Sequence, residues 1–264
     1  MITSIENKQL KQIVQLNTKA KARKKAGLFV VEGVKMFLEA PIDWIFKVYV
    51  SESFAASEAG KQALEEKGVA YEVVLESLFC KICDTLTPQG VLAVLKMPEW
   101  ELSDCFPTDG RIPLLLVLDT VQDPGNLGTM IRTGEGAGLT GVIMNHTTVD
   151  LFNPKTIRAT MGSIYRIPFV VTEDIPEVIT KIKQKGVTGY AAHLKGRQDF
   201  FMEDYTEPTA FFVGNEGNGL SEEVAKLADT YVKIPMDGQV ESLNAAVAAS
   251  VMMYECKRQR MVKE

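Results

Sequence analysis

The chain holds 264 residues, 46% of them hydrophobic, enough for one large core or two ordinary ones, and two is the starting expectation. Its formal net charge of −5 argues against a polyanionic partner, because phosphate binding draws on Lys and Arg that displace counterions. Its longest apolar runs, near 114–118 and 245–253, fall short of the roughly 18 residues that a membrane span requires.

In chain order, Ile5, Leu10, Ile13, Val14 and Leu16 lie near helical spacing, which predicts an amphipathic helix over 5–20. The charge is concentrated here: Lys8, Lys11, Lys19, Lys21, Arg23, Lys24 and Lys25 occur with no acid among them. LFVVEG (28–33) reads as a strand running into a turn, VKMFLEA as a helix, and FKVYVS (46–51) as a second strand. SEAGKQALEEKG reads as a helix stopped by Gly68, with AYEVVL and GVLAVLK as further strands. Residues 1–100 are therefore expected to form a small alternating α/β unit.

Around 98–113 the pattern dissolves into Pro, Gly and acidic residues without periodicity, which predicts a connector at 101–112. Beyond it LLLVLDTV is almost unbroken apolar strand, as in a parallel sheet covered on both faces. GVIMN, FVV, GYAAH, AFFVG and YVKIP follow, separated by helical stretches such as IPEVITKIKQKG and SEEVAKLA. Residues 113–264 thus read as a doubly wound α/β domain. The fold class is α/β, with a small N-terminal domain and a larger parallel-sheet domain.

Ligands of open α/β sheets collect at the carboxyl ends of the strands, and three loops there are unusual. In DTVQDPGNLGTMIRTGEGAG (119–138), Asn126 stands near a helix start, where Asn is also a favoured cap, and Arg132 follows six residues on. The run Gly128, Gly134, Gly136 and Gly138 is costly inside a helix and implies a close neighbour. GEGAG comes too late after its strand for a dinucleotide fingerprint. In VGNEGNGLSEE (213–223), glycines surround a lone Glu216, which suits either a tight turn or a loop wrapped on a small molecule, and Ser221 suits a helix cap. In IPMDGQVESLNAAVAASVMMYE (234–255), small side chains cover most of a long helix, as if it were crowded on several sides.

The three loops, in this order, resemble the signature motifs of the SpoU branch of the SPOUT RNA methyltransferases, the TrmH-like family. The resemblance covers the second half of the chain through Asn126 to Arg132, GNEGNGLS, and IPMDGQVESLNAAVAA. RKKAGLFVVEG and the basic helix before it are similar, more loosely, to the RNA substrate-binding domain often fused to these enzymes. The resemblance implies a deep trefoil knot, S-adenosylmethionine as cofactor, and methyl transfer to a ribose 2′-hydroxyl, of 23S rRNA before tRNA. It implies a homodimer in which the Arg of the first motif approaches the partner's cofactor. Motif by motif, Gly214, Ile234, Met236 and Leu243 would line the cofactor pocket. Asn126, Arg132, Glu216, Ser242 and Asn244 would occupy the polar active-site positions.

A ribose hydroxyl is a very weak acid, and the family's proposal makes Arg132 act on it. A guanidinium stays protonated, so fixing a phosphate or stabilising a forming alkoxide is the more natural role. Lys21, Arg23, Lys24 and Lys25 would bind RNA backbone, against the plain alternative of a solvated helix face. A catalytically inactive RNA-binding protein on the same fold is the rival reading, and the intact polar set counts against it. Cys80, Cys83, Cys105 and Cys256 follow no disulfide framework, and no leader peptide is apparent, so a reducing cytoplasm is expected. CKIC lacks a second pair, and His146 and His193 are scattered, so no metal site is expected.

Overall fold

The structure is a computed structural model that describes residues 1–193, 196, 198–240 and 242–263. It divides into two compact units, one of Met1–Glu99 with Asp150–Tyr165 and one of Trp100–Val149 with Arg166–Glu264.

In the first unit α1 (Lys8–Thr18) is capped by Asn7, whose side chain accepts from the Gln9 amide. It buries Leu10, Ile13 and Leu16, while Ile5 and Val14 stay exposed, so the apolar face is narrower than the spacing predicts. A second short helix, α2 (Ala20–Ala26), ends at Gly27 in a left-handed conformation. There follow β1 (Leu28–Glu32), α3 (Val34–Glu39), β2 (Ile45–Ser51), α4 (Glu52–Ala56), α5 (Glu58–Lys67), β3 (Tyr71–Val74), α6 (Glu76–Ile82) and β4 (Val91–Lys96). The strands run in the order β1-β4-β2-β3, with β2 and β3 parallel and the other pairs antiparallel. Leu10, Ile13, Leu16, Tyr49, Phe79 and Leu92 form the core between α1, α6 and the sheet.

The stretch expected as a connector is packed rather than slack. Residues 102–105 form a 3-10 turn whose Cys105 is fully buried, and a Cβ on Gly141 would stand 2.4 Å from the Cys105 Cβ. The second unit continues through β5 (Leu114–Leu118), α7 (Pro124–Ala137) and β6 (Gly141–Asn145). The chain then enters Asp150–Tyr165, which carries α8 (Pro154–Thr160) and belongs to the first unit. There the Arg23 guanidinium donates to Asp150 at 2.5 and 2.9 Å, Phe152 packs on Phe29 with ring centroids 4.7 Å apart, and the Tyr165 hydroxyl donates to the Met36 carbonyl.

Back in the second unit come β7 (Phe169–Thr172), α9 (Ile175–Gln184), β8 (Thr188–Ala192), β9 (Gln198–Asp199), β10 (Thr209–Val213), α10 (Glu222–Ala225), β11 (Thr230–Lys233) and α11 (Ala245–Lys263). Their sheet is parallel throughout, in the order β7-β6-β5-β10-β8-β11-β9. β5 and β10 are buried along their whole length, which is why their sequences show no alternation. The order reverses between these two strands, so the loops leaving their carboxyl ends adjoin at a topological switch point.

α11 lies along α7: the hydroxyls of Thr133 and Ser250 stand 2.9 Å apart, and Lys257 Nζ donates to the Gly136 carbonyl at 2.7 Å. Ala246 and Ala249 are buried, and a Cβ on Gly136 would come within 2.8 Å of the Tyr254 hydroxyl. The small residues of both helices are therefore the condition of their close packing. No described helix is long and apolar enough to cross a membrane.

Candidate active site

α7 begins at Pro124, and its cap is Asp123, whose carboxylate accepts from the Asn126 amide at 2.8 Å. Asn126 is thereby freed from capping, and its side chain links three loops. Its Nδ2 donates to Glu216 at 2.9 Å, and its Oδ1 accepts from Asn244 Nδ2 at 3.0 Å, partners 90 and 118 residues away in sequence. Asn244 is fixed in turn as the cap of α11, its Oδ1 accepting from the amides of Ala246 and Val247. Both amide orientations follow from this network.

Glu216 reaches back to the first loop and accepts from the amides of Gln122 and Asp123, each at 3.1 Å. Partial burial alone would raise its pKa. Hydrogen bonds from Asn126 and from the amides of Gln122, Glu216 and Asp123 outweigh it and hold the carboxyl below its ordinary value. Glu216 is thus a carboxylate saturated with donors, a bracket between loops and a poor proton acceptor.

The second loop closes on itself. Asn215 and Gly219 exchange both backbone hydrogen bonds, and Asn215 Oδ1 accepts from the amides of Gly217 and Asn218. Gly214 is buried in this turn, where a Cβ would lie 2.1 Å from the Gly219 carbonyl carbon, so the loop's own backbone demands glycine there. Ser221 caps α10, accepting from the Val224 amide.

Ile234, Met236 and Leu243 are half-buried on the third loop, and Ser242 is exposed beside Asn244. Glu241, within the third motif, lies outside the described residues. Arg132 is exposed and has no hydrogen-bond or ion-pair partner among the described residues. Six residues along a helix amount to about 9 Å and to a different face, so Arg132 points away from the side of α7 that carries Asn126.

Lys21, Lys24 and Lys25 are exposed on α2. Arg23 requires a correction: it is only 3% exposed, donates to the Leu16 carbonyl at 2.6 Å, and pairs with Asp150, so it offers no surface to RNA. Burial, with Glu32 nearby, pushes the Cys83 thiol far up, and Cys80 stands exposed on α6. His146 pairs with Glu173, and His193 stacks on Tyr231. No cluster of metal-ligating side chains occurs among the described residues.

Sequence reasoning missed Asp119, Thr120, Asn145 and Asn215. Asp119 is 4% exposed at the end of β5, Thr120 has φ 61, and Asn215 Nδ2 donates to the Thr120 carbonyl at 3.0 Å. An acid closing an apolar strand is a weak signal for Asp119. Nothing in the sequence points to a threonine in left-handed conformation.

The sequence model of the SpoU rRNA Methylase family matches residues 113–254, and that of the MRM3-like substrate binding domain matches 7–93. The chain is 36% identical, over 97% of its length and 98% of the relative's, to the Bacillus subtilis 23S rRNA (guanosine(2553)-2′-O)-methyltransferase RlmP. Its structure is similar to that of the SpoU methyltransferase AviRb from Streptomyces viridochromogenes in complex with AdoMet, with TM-score 0.85 and 29% identity over 97% of this chain and all of that one. The AdoMet-bound rRNA methyltransferase from Sinorhizobium meliloti superposes with TM-score 0.84 at 33% identity, covering 97% of each chain.

Proposed function

The chain belongs to the SpoU rRNA methylase family, and on that premise we propose that it transfers the methyl group of S-adenosylmethionine to a ribose 2′-hydroxyl of 23S rRNA. The observation that carries the reading is the Asn126 amide, hydrogen-bonded at once to Glu216 and Asn244, which draws the three loops of the family pattern into one site.

The residues at hand fit the cofactor. Ile234, Met236 and Leu243 are apolar yet only half-buried by the chain's own atoms, and Gly217 and Gly219 are exposed on the second loop. An adenine would cover those apolar side chains, and Gly214 keeps the second loop tight. When bound, S-adenosylmethionine supplies an electrophilic methyl, so the protein's work is chiefly alignment.

Asn126 has one amide proton and one lone pair beyond its two described bonds, and with Ser242 and Asn244 it orients the ribose. Arg132 fixes the phosphate beside the target ribose and stabilises negative charge forming on the oxygen. Glu216 holds the loops together. Lys21, Lys24 and Lys25 bind RNA backbone.

Arg132 faces away from its own Asn126, which favours its acting in the site of a second copy. Val247, Val251, Tyr254 and Met261 recur on one face of α11 at helical spacing, and Val247 and Tyr254 are each 48% exposed. That stripe, next to the exposed Thr129, Arg132 and Gly136 of α7, suits a symmetric homodimer. Close α7–α11 packing around small residues supports the knotted path of the family's catalytic domain. Four free cysteines and an rRNA substrate agree with a cytoplasmic enzyme.

Calorimetry with S-adenosylmethionine tests the cofactor, and absence of binding removes the enzyme reading. Mapping 2′-O-methyl marks on the rRNA of cells lacking the gene tests the substrate; survival of every mark refutes it. Light scattering of Val247→Glu with Tyr254→Glu tests the dimer, for which a monomer is expected.

A further inference from the structure

Thr120 is one of two described non-glycine residues with positive φ, at 61°, and as a β-branched residue it adopts this conformation only when its surroundings enforce it. Here they do. Its amide donates to Asn145 Oδ1 at 3.0 Å. Its hydroxyl lies 3.1 Å from Asp119 Oδ1, 3.0 Å from Asn145 Nδ2 and 2.9 Å from the Thr147 hydroxyl. Its carbonyl accepts from Asn215 Nδ2 at 3.0 Å and from Gln122 Nε2 at 3.4 Å. A turn that needed only a left-handed residue would be satisfied by glycine or asparagine.

The two side chains that hold Thr120 also hold each other: Asn145 Nδ2 donates to Asp119 Oδ1 at 2.8 Å. The other oxygen of Asp119 accepts from the Ser221 amide at 2.8 Å, at the far end of the second loop. Asp119 therefore reaches from the first loop to the second, and Glu216 reaches from the second to the first through the amides of Gln122 and Asp123. Each loop is held by a carboxylate of the other, the first at the two amides of Gln122 and Asp123 and the second at the Ser221 amide, and a shift of either loop breaks these holds.

We propose that Asp119 and Asn145 are positioning residues for methyl transfer, which act through Thr120 and Ser221 to set where Glu216 and, through it, Asn126 stand. The inference rests on the methyltransferase reading and adds to it a pair outside the family-pattern residues, one at the end of β5 and one at the end of β6. Their function is geometric: they keep the polar edge of the site in register with the cofactor wall of the third loop.

The test exchanges the members of the pair. Asn145→Asp places two carboxylates where a 2.8 Å hydrogen bond stood, and Asp119→Asn turns an amide donor toward the Ser221 amide or leaves two amides in conflict. The double variant D119N/N145D restores one acid and one amide in exchanged places. With total rRNA and labelled S-adenosylmethionine, each single variant is expected to lose on the order of tenfold or more in kcat per folded enzyme, with KM for RNA little changed. The double variant is expected to recover most of that loss. Asn145→Ala, which removes the hold without adding repulsion, gives the same kcat-specific loss if Asn145→Asp does not fold.

Single variants with full kcat per folded molecule overturn the proposal. So does a double variant whose losses simply add, since pairing would then not be the cause. A wild-type protein that transfers no methyl to any RNA overturns the methyltransferase reading instead, and the two failures are told apart by that control.

Discussion

Asn126 gives the clearest prediction at the scale of one residue, because its two amide atoms have opposite duties. Asn126→Asp would set a carboxylate against Glu216 and remove the donor at 2.9 Å while keeping the shape. Loss of one hydrogen bond to a charged group corresponds to roughly 10- to 100-fold. That loss is expected in kcat/KM per folded molecule, measured by methyl incorporation. Glu216 predicts a pH dependence. Its carboxyl is held below its ordinary value in the folded loops, so its contribution is complete above the unfolded pKa and is lost as pH falls through the folded one. S-adenosylmethionine affinity, followed by calorimetry, is expected to show no step from this group above about pH 5 and to fall only in more acid solution. A step near neutrality that vanished in Glu216→Gln would contradict the assignment. The meeting of Asn126, Glu216 and Asn244 could be anticipated from the three loops in order, but Arg132 and Ser242 make no described bond to them, and the division of labour was not legible. Whether Asn126 caps a helix or reaches across to Asn244 depends on where α7 starts, and Asp123 decides that. Arg23 resembles its lysine neighbours in sequence, and only the burial of its own side chain against Asp150 separates it from them.

Among the elements, the second loop and the α7–α11 pair carry most of the constraint. A methyl added at Gly214 would meet the Gly219 and Leu220 backbone at 2.1 to 2.2 Å, where no side chain can yield. Gly214→Ala is therefore expected to open the turn at an overpacking cost of about 1–3 kcal/mol and to abolish S-adenosylmethionine binding. Retained binding with an unchanged melting curve would show that the loop adapts. Strands β1 to β8, β10 and β11 were visible as apolar runs, because a buried strand or a half-buried one leaves a simple pattern. The helices α2, α4, α6 and α8 were not, since five to seven residues give few turns for a period to emerge; α3 and α10, which are no longer, were read from their place between strands and turns. The glycines and alanines of α7 and α11 signalled crowding correctly, but the neighbour that crowds them lies more than a hundred residues away and no local pattern names it.

For the molecule as a whole, a net charge of −5 hides a group of exposed lysines at 21, 24 and 25. Replacing Lys24 and Lys25 with Ala is expected to weaken RNA binding evenly across sequences and to lower the slope of log K against log salt by about 1 per lysine. An unchanged slope would assign those lysines to a solvated face. The sequence also suggested that the smaller unit ends before residue 101, yet Asp150–Tyr165 folds with it and supplies the partners of Arg23, Phe29 and Met36. A fragment of residues 1–99 leaves the Arg23 guanidinium buried without its counter-ion. It is expected to melt without a cooperative transition, which circular dichroism reads directly. On the ribosome the same interleaving imposes a delay. The earlier part waits for another 66 residues, from 99 to 165, before its last pieces exist. At about 5–20 residues per second that is roughly 3 to 13 seconds in which a half-built unit is open to chaperones and proteases.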